Sequence, residues 1–325
     1  MTPSLPLVSI VCPAFQEELV LPIFHAQLSA ALQPLERQFR FEIIFVDDGS
    51  GDRTLEVLRS LAEQDARVSF LSLSRNFGHQ AALTAGLEHA RGDAVISMDA
   101  DLQHPPALLA ELLQHWRDGY DVVITLRKED PRLSLFKRFT SKAFYKVMHS
   151  LSDTEIRDAA SDFRLLSRKA LGALLQLKEQ HRFVRGMVQW LGFRVKEVAF
   201  MPDERRAGQS KYTFKRMLRL AMDGLFSFSR APLRLPIWLA GVFGLVAAGH
   251  GITALTGWLF GADASWHYLA ASVHAGIASV LGSVGVVGEY VGRMHEQVKQ
   301  RPVYLLKESR MQDLVPGVGM RRDAA

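Results

Sequence analysis

The chain has 325 residues, a formal net charge of +5 and a single Cys, which excludes an intrachain disulfide framework and makes Cys12, inside LVSIVC, a core residue. The length leaves room for a large catalytic domain and a further segment, and a pI near 9.4 calls for an anionic partner. A mean hydropathy near zero hides an asymmetry: residues 1–230 read as a soluble domain and residues 231–292 do not.

The extreme N-terminus, MTPSLPLVSIVCPAF, lacks the basic region and long apolar stretch of a secretory signal. Beyond it, apolar runs alternate with helical patterns. LVSIVC, FEIIFVDD, VSFLSLS, DAVISMDAD and DVVITLR predict strands, and 18–34, 52–65, 78–90 and 106–117 predict helices. Short, continuously apolar strands separated by helices imply a mostly parallel sheet covered on both faces. Ligands of such sheets bind at the carboxyl ends of the strands. The polar residues collect there: Glu17 and Glu18 after the first strand, DDGSGD after the second, RNFGH after the third and DADLQ after the fourth. Four such clusters at equivalent ends predict one site.

Within that site, MDADLQHPP (98–106) is the most specific stretch. An Asp-x-Asp pair on extended chain points both carboxylates the same way. Taken alone it could be a solvated strand end, with Pro105 and Pro106 as punctuation; beside the other three clusters it reads as a hard-cation site. No GxGxxG follows the first strand and no GxxxxGK[ST] occurs, so dinucleotide and P-loop cradles are missing. HExxH and CxxC are absent too, which leaves zinc without support. Oxygen donors favour Mg²⁺ or Mn²⁺, and a Mg²⁺ held by one or two carboxylates completes its shell with substrate phosphates.

Residues 235–260 and 266–291 each exceed the roughly 20 residues that cross a bilayer core, and no Lys or Arg lies between Arg234 and Arg293. Basic flanks on both sides place both chain ends, and the large domain, in the cytoplasm. GADAS becomes a short external loop. Glu289 falls at the inner boundary, within reach of headgroups, and the small residues of GSVGVVGEYVG permit close helix packing and a homo-oligomer. Two stretches, 132–151 and 212–230, mix aromatics with Lys and Arg at helical spacing. Interfacial placement is the reading for the second; the first fits either the interface or a solvated helix packed on the sheet.

With these stretches assembled, the chain resembles the family 2 glycosyltransferases of GT-A fold. More narrowly, it is similar to the membrane-anchored polyprenyl-phosphate (undecaprenyl-phosphate) glycosyltransferases, relatives of dolichol-phosphate mannose synthase. The matching stretches are CPAFQEE (12–18), VDDGSGDRT (46–54), SRNFGHQAAL (74–83), MDADLQHPP, SDFRLLSR (161–168), RRAGQSKYTFKRML (205–218) and GEYVGRMHEQVKQRPVY (288–304). They span nearly the whole chain in the expected order. The resemblance implies a cytoplasmic GT-A domain over 1–230, a two-helix transmembrane hairpin over 231–292 and a cytoplasmic tail over 293–325, in a multi-pass inner-membrane protein.

By the same resemblance, Pro13, Glu17, Asp48, Asn76 and Asp99 belong to the nucleotide-sugar pocket, with Asp47 supporting its turn. Asp99, Asp101 and Gln103 match the metal motif, and Asp162 matches an active-site acid near sugar and acceptor. Arg205, Ser210 and Lys211 match a loop that closes over phosphates, with Arg205 and Lys211 among the catalytic groups, and Arg127 matches an Arg near the lipid phosphate. One departure is visible: the family pattern usually has Asn before the first Glu, where this chain has Gln16. The implied donor is a nucleotide-sugar, with UDP-glucose the first choice and modified arabinose, N-acetylhexosamine or mannose donors open. The implied acceptor is a polyprenyl phosphate in the bilayer.

The chemistry is consistent with that assignment. A lipid monophosphate, with a second pKa of about 6, is largely dianionic at neutral pH and needs no strong general base. Asp162 therefore orients sugar or acceptor, and direct displacement predicts inversion. A processive polysaccharide synthase would share the donor domain, but two spans make a poor pore and RGMVQW does not match a QxxRW-type motif. A non-catalytic adaptor would have lost some of Asp99, Asp101, Gln103, Arg205 and Lys211, all of which are present. A nucleic-acid binder would carry a separate basic patch, whereas the basic residues here cluster beside the spans.

Overall fold

The computed structural model describes residues 5–128, 160–180, 182–201, 231–260 and 266–312. They divide into two compact units: residues 1–141, 156–212 and 302–325 in the first, 142–155 and 213–301 in the second.

The first unit is built on one eight-stranded sheet. In chain order its strands are β1 (Leu7–Ala14), β2 (Arg40–Asp47), β3 (Val68–Leu73), β4 (Ala94–Ser97), β5 (Val122–Arg127), β6 (Ala160–Ser167), β7 (Val195–Phe200) and β8 (Leu306–Arg310). Helices α1 (Leu21–Leu32), α2 (Thr54–Gln64), α3 (His79–His89), α4 (Leu109–Arg117), α5 (Arg168–Gln176) and α6 (Val184–Trp190) connect them. The strand order is β7-β5-β6-β4-β1-β2-β3-β8. Pairs β1–β2, β2–β3, β1–β4 and β5–β7 are parallel; β6 runs antiparallel to β4 and β5, and β8 antiparallel to β3.

Every residue of β1, β3 and β4 is buried, the pattern of strands covered on both faces. Phe24, Phe45 and Phe70 anchor one layer of the core with Leu21, Leu28 and Leu58. Two polar groups are enclosed at no loss of pairing: the buried Glu42 carboxylate accepts from Ser9 Oγ, from Arg91 N–H (2.7 Å) and from Arg91 Nε (3.0 Å).

The five predicted strands and four predicted helices form where the periodicity places them, α4 being preceded by a 3₁₀ turn, Pro106–Leu108. Strands β6, β7 and β8 are additional to the expected five; of these LKESR carries no apolar run, and it joins the edge of β3 through backbone pairing and an Arg59–Glu308 ion pair. Both amphipathic stretches, 132–151 and 212–230, and the loop 261–265 lie outside the described residues.

The second unit holds two long helices that pack against each other, α7 (Ala231–Phe260) and α8 (Trp266–Lys299). Pro236 stands inside α7, where it removes one intrahelical donor. Among the described residues one helix is long and apolar enough to cross a membrane, Ser272–Lys299, while α7 yields the shorter apolar stretch Gly241–His250. Among the described residues the expected pair of spans is thus met by length and composition at one helix. Helix α8 also continues past the expected end at 291, and Glu289, expected at the headgroups, pairs with Arg293 one turn on (2.9 Å), the favourable acid-before-base order.

Gly49, in the turn after β2, has φ +66°, and a Cβ there would fall on the Arg75 backbone. Gly49→Ala should therefore destabilise the first unit by about 1–3 kcal/mol from backbone strain alone, read as a lowered thermal midpoint. An unchanged midpoint would refute the close approach of these two loops.

Candidate active site

Parallel pairing brings the carboxyl ends of β1, β2, β3 and β4 to one rim. From β1 the chain passes to β2 and β3 on one side, and β4 lies on the other, which makes this rim a topological switch point. Because β6 is antiparallel, its first residues arrive at the same rim: Ser97 of β4 is in register with Arg164, and Leu126 of β5 with Ala160. Asp162 is thereby set beside the loop that carries Asp99.

The loop after β1 is tied to the loop after β2. Gln16 N–H donates to Ser50 Oγ (2.9 Å) and Glu17 N–H to Thr54 Oγ1 (2.9 Å). Gln16 has φ 56°, a left-handed conformation that Asn adopts more readily than most residues. Pro13 is buried in β1 opposite Val46. Asp47 accepts from Ser50 N–H (2.9 Å) and Ser72 Oγ (2.8 Å). Asp48 accepts from Phe77 N–H (2.7 Å) and Gly78 N–H (3.0 Å), so it orders the turn that opens α3. Burial pushes the Asp48 carboxyl above its ordinary range, partly opposed by those two N–H groups. Asn76, on the same loop, is exposed.

In DADLQ, Leu102 takes φ 63°, an unusual conformation for a bulky residue that costs about 1–3 kcal/mol. The resulting turn lets Gln103 N–H donate to Asp101 Oδ1 (3.1 Å), while Gln103 Oε1 accepts from Arg127 Nη2 (3.0 Å). His104 is buried under this turn. Its Nδ1 accepts from Asp99 N–H (2.9 Å), which puts the ring proton on Nε2, facing Ser161 Oγ (2.9 Å). Burial pushes the His104 pKa down, and the ring stacks on Phe163 at 5.2 Å. His104 is thus a neutral strut beneath Asp99.

Asp162 is buried. Its Oδ1 accepts from Arg164 Nη2 (2.7 Å) and Arg185 Nε (3.0 Å), and its Oδ2 from Arg185 Nη2 (2.6 Å). Burial pushes its pKa up, but Arg185, His79 and Arg164 outweigh burial and hold it well below the ordinary carboxylate range. Burial lowers the Arg164 pKa to about 10. His79 Nε2 stands 3.6 Å from Asp99 Oδ1 and 3.5 Å from Asp162 Oδ2. Desolvation by the surrounding rim lowers the His79 pKa, although its side chain is 42% exposed, and the two carboxylates override it and raise it to about 9.

The structure therefore gathers Asp48, Asp99, Asp101, Gln103, Arg127 and Asp162 along one rim, with Pro13, Glu17, Asp47 and Asn76 on its β1–β3 side. Arg205, Ser210 and Lys211 lie outside the described residues. Among the described residues no three or more His, Cys, Asp or Glu side chains converge as a metal cage. Asp99, Asp101 and Gln103 offer only oxygen donors, a set that suits a hard divalent ion whose remaining ligands come from phosphates and water. Sequence reasoning passed over His79, His104, Ser161, Arg164 and Arg185. The i, i+2 spacing of Asp162 and Arg164 places both on one face of a strand and could have revealed that pair. Arg185 reaches Asp162 from another element and left no local signal.

Residues 9–175 match the family model described as glycosyl transferase family 2. An uncharacterized glycosyltransferase of Bacillus subtilis, YkcC, is 38% identical over 315 residues, covering 93% of each chain. A prophage-derived bactoprenol glucosyl transferase of Shigella flexneri is 36% identical over 308 residues, covering 93% of this chain and 98% of its own. Among solved structures, a mannosyltransferase of Pyrobaculum calidifontis in complex with GDP-Man and Mn2+ gives a TM-score of 0.44 at 18% identity, covering 86% of this chain and 87% of that one.

Asp162→Asn keeps the shape of the side chain but leaves two guanidinium groups against a neutral amide. Stability should fall by about 3 kcal/mol, the scale for breaking a buried pair from one side. The folded pKa of Asp162 lies below its unfolded value, so its contribution is full above about pH 4 and lost as pH falls through the folded pKa. Thermal melts against pH should show this acid loss in the wild type and a flatter profile in the variant; parallel profiles would contradict the ion-pair assignment.

Proposed function

Because the chain belongs to glycosyl transferase family 2 and has the GT-A α/β fold, we propose that it moves a sugar, with glucose from UDP-glucose the first choice, onto a polyprenyl phosphate at the cytoplasmic face of the inner membrane. The observation that carries this reading is the pairing, at one switch point, of the oxygen-donor triplet Asp99, Asp101 and Gln103 with the arginine-held Asp162. Relatives named bactoprenol glucosyl transferase that match over nearly their full length support the acceptor class.

In this reading Pro13, Glu17 and Asn76 line the nucleotide pocket, Asp47 supports its turn, and Asp48 shapes it through the Phe77–Gly78 backbone. Asp99, Asp101 and Gln103 would hold Mg²⁺ or Mn²⁺, which would supply positive charge to the departing diphosphate. The lipid phosphate oxygen forms a bond to the anomeric carbon as the bond to the diphosphate breaks, inverting that centre. Asp162 is held too firmly as a carboxylate to serve as a base, so it orients a hydroxyl of the sugar or the acceptor. Arg127, at the rim beside Gln103, meets the lipid phosphate, and Arg205, Ser210 and Lys211 close over the phosphates.

The membrane part of the proposal includes both α7 and α8 as a hairpin with both ends cytoplasmic. Large apolar side chains stand exposed along both helices, among them Leu245, Ile252, Leu259, Val273, Val280 and Val284. Thr253, Thr256 and Ser283 return their hydroxyls to carbonyls of their own helices. Such surfaces suit lipid. Homo-oligomerisation through the small residues of α8 belongs to the same proposal.

With UDP-glucose radiolabelled in the sugar and polyprenyl phosphate in vesicles, label should enter an organic-extractable product that mild acid releases. Label confined to a growing water-soluble polymer would replace this reading with a processive synthase, and no transfer from any donor would point to an adaptor.

Asp101→Ala should lower turnover roughly a hundredfold or more with the fold intact by circular dichroism, and excess EDTA should silence the wild type. Full activity under either condition would remove the metal from the proposal.

A further inference from the structure

Asp162 already has one permanent counter-charge. Arg164 lies on the same strand, is 2% exposed and donates to Oδ1. Arg185 adds a second guanidinium, about one-third exposed, whose Nε and Nη2 span both carboxylate oxygens. Both guanidiniums help keep the carboxylate ionised, and the bidentate contact of Arg185 adds a second effect. That effect is orientation, because a planar fork across two oxygens fixes the carboxylate plane as a point charge cannot.

Arg185 is carried by α6, a helix of seven residues, too short to hold its own geometry in isolation. Its placement comes from neighbours. Val184, Gly186, Met187 and Val188 are buried, and Val184 N–H, one of the first-turn donors that a helix cannot satisfy internally, donates to Gln80 Oε1 (3.1 Å). Gln80 stands in the first turn of α3, a helix whose middle is buried from Ala81 to Leu87. Gly86 of α3 sits so close to Val11 and Val46 that a Cβ would meet both side chains. Helix α3 is thus seated hard on the sheet and α6 is tied to it.

We propose that Gln80 and Arg185 form a positioning pair, in which Gln80 fixes the start of α6 relative to α3 and Arg185 thereby fixes the plane of the Asp162 carboxylate for the reacting sugar or phosphate. The inference rests on the proposed transfer reaction. It also links two parts of the site: the loop that Asp48 holds through Phe77 and Gly78 runs directly into His79 and Gln80, so the element that borders the nucleotide side also sets Asp162.

The test uses the full-length protein in vesicles. Arg185→Ala should lower kcat roughly tenfold to a hundredfold, the scale of a lost hydrogen bond to a charged group, and Gln80→Ala roughly twofold to tenfold, the scale of a neutral one, each with KM for the nucleotide-sugar within about twofold of the wild type. Gln80→Glu keeps an acceptor for Val184 N–H and should restore most of kcat. Arg185→Lys, which cannot span both oxygens, should fall between wild type and Arg185→Ala. Hydrogen exchange supplies a readout that needs no turnover: in Gln80→Ala, protection over 184–190 should drop about tenfold while β6 and the body of α3 keep theirs. Unchanged kcat in either alanine variant, no rescue by Gln80→Glu, or unchanged exchange over 184–190 would each overturn the pair. A wild type inactive with every donor would defeat the transfer reaction, and the exchange result would still decide whether Gln80 seats α6.

Discussion

A negative charge held out of water at the start of β6 sets the demands that the surrounding elements meet. An isolated buried carboxylate costs several kcal/mol and would take up a proton instead. Asp162 stays ionised because Arg164 from its own strand and Arg185 from α6 donate to it, with His79 from α3 close by. Removing any of these elements would strand a charge. Arg164 Nε, buried with no hydrogen-bond partner among the described residues, is part of the cost of keeping that guanidinium beneath the carboxylate.

The same arrangement couples the two faces of the sheet. Along β6, Ser161 and Phe163 contact His104, which supports the Asp99 backbone, while Asp162 and Arg164 turn to the opposite face. Strand alternation thus uses four consecutive residues to hold the DADLQ loop from below and to present a carboxylate beside it. His79 closes the circuit, standing between Asp99 and Asp162. A cation between two carboxylates allows them to approach within one substrate's length without mutual repulsion.

Strands β1 to β5 were legible in the sequence because they are buried on both faces and therefore read as unbroken apolar runs, and the acids at their ends marked the rim. β6, β7 and β8 were not legible on those terms. SDFRLLS interrupts its apolar pattern with Asp162 and Arg164, whose burial is tolerable only through partners that lie elsewhere in the chain. VKEVAF and LKESR are edge-region strands whose exposed positions accept charge. The acids that follow β1, β2 and β4 could be read from sequence because each sits at a strand end, whereas Asp162 was reached only through the family resemblance. The groups that govern them could not, since His79, His104 and Arg185 earn their places through tertiary contacts, and Gln16 shows its meaning only once its backbone conformation is known.

Strand β8 pairs with β3 across more than two hundred intervening residues, among them both long apolar helices. Until that late segment leaves the ribosome, the outer edge of β3 is an open row of unpaired backbone groups, the kind of edge that recruits foreign strands. Sealing it requires closing a long loop, an entropic cost that grows only slowly with length, and Arg59 with Glu308, Tyr304 with Glu88 and Gln312 with Ser69 then fasten the closure. The sheet is therefore completed last at the edge farthest from β7, and only in a chain whose two apolar helices have already been made. A product truncated within those helices would keep every residue of the rim described above and still display an unfinished sheet, which marks it for aggregation or quality control rather than for work.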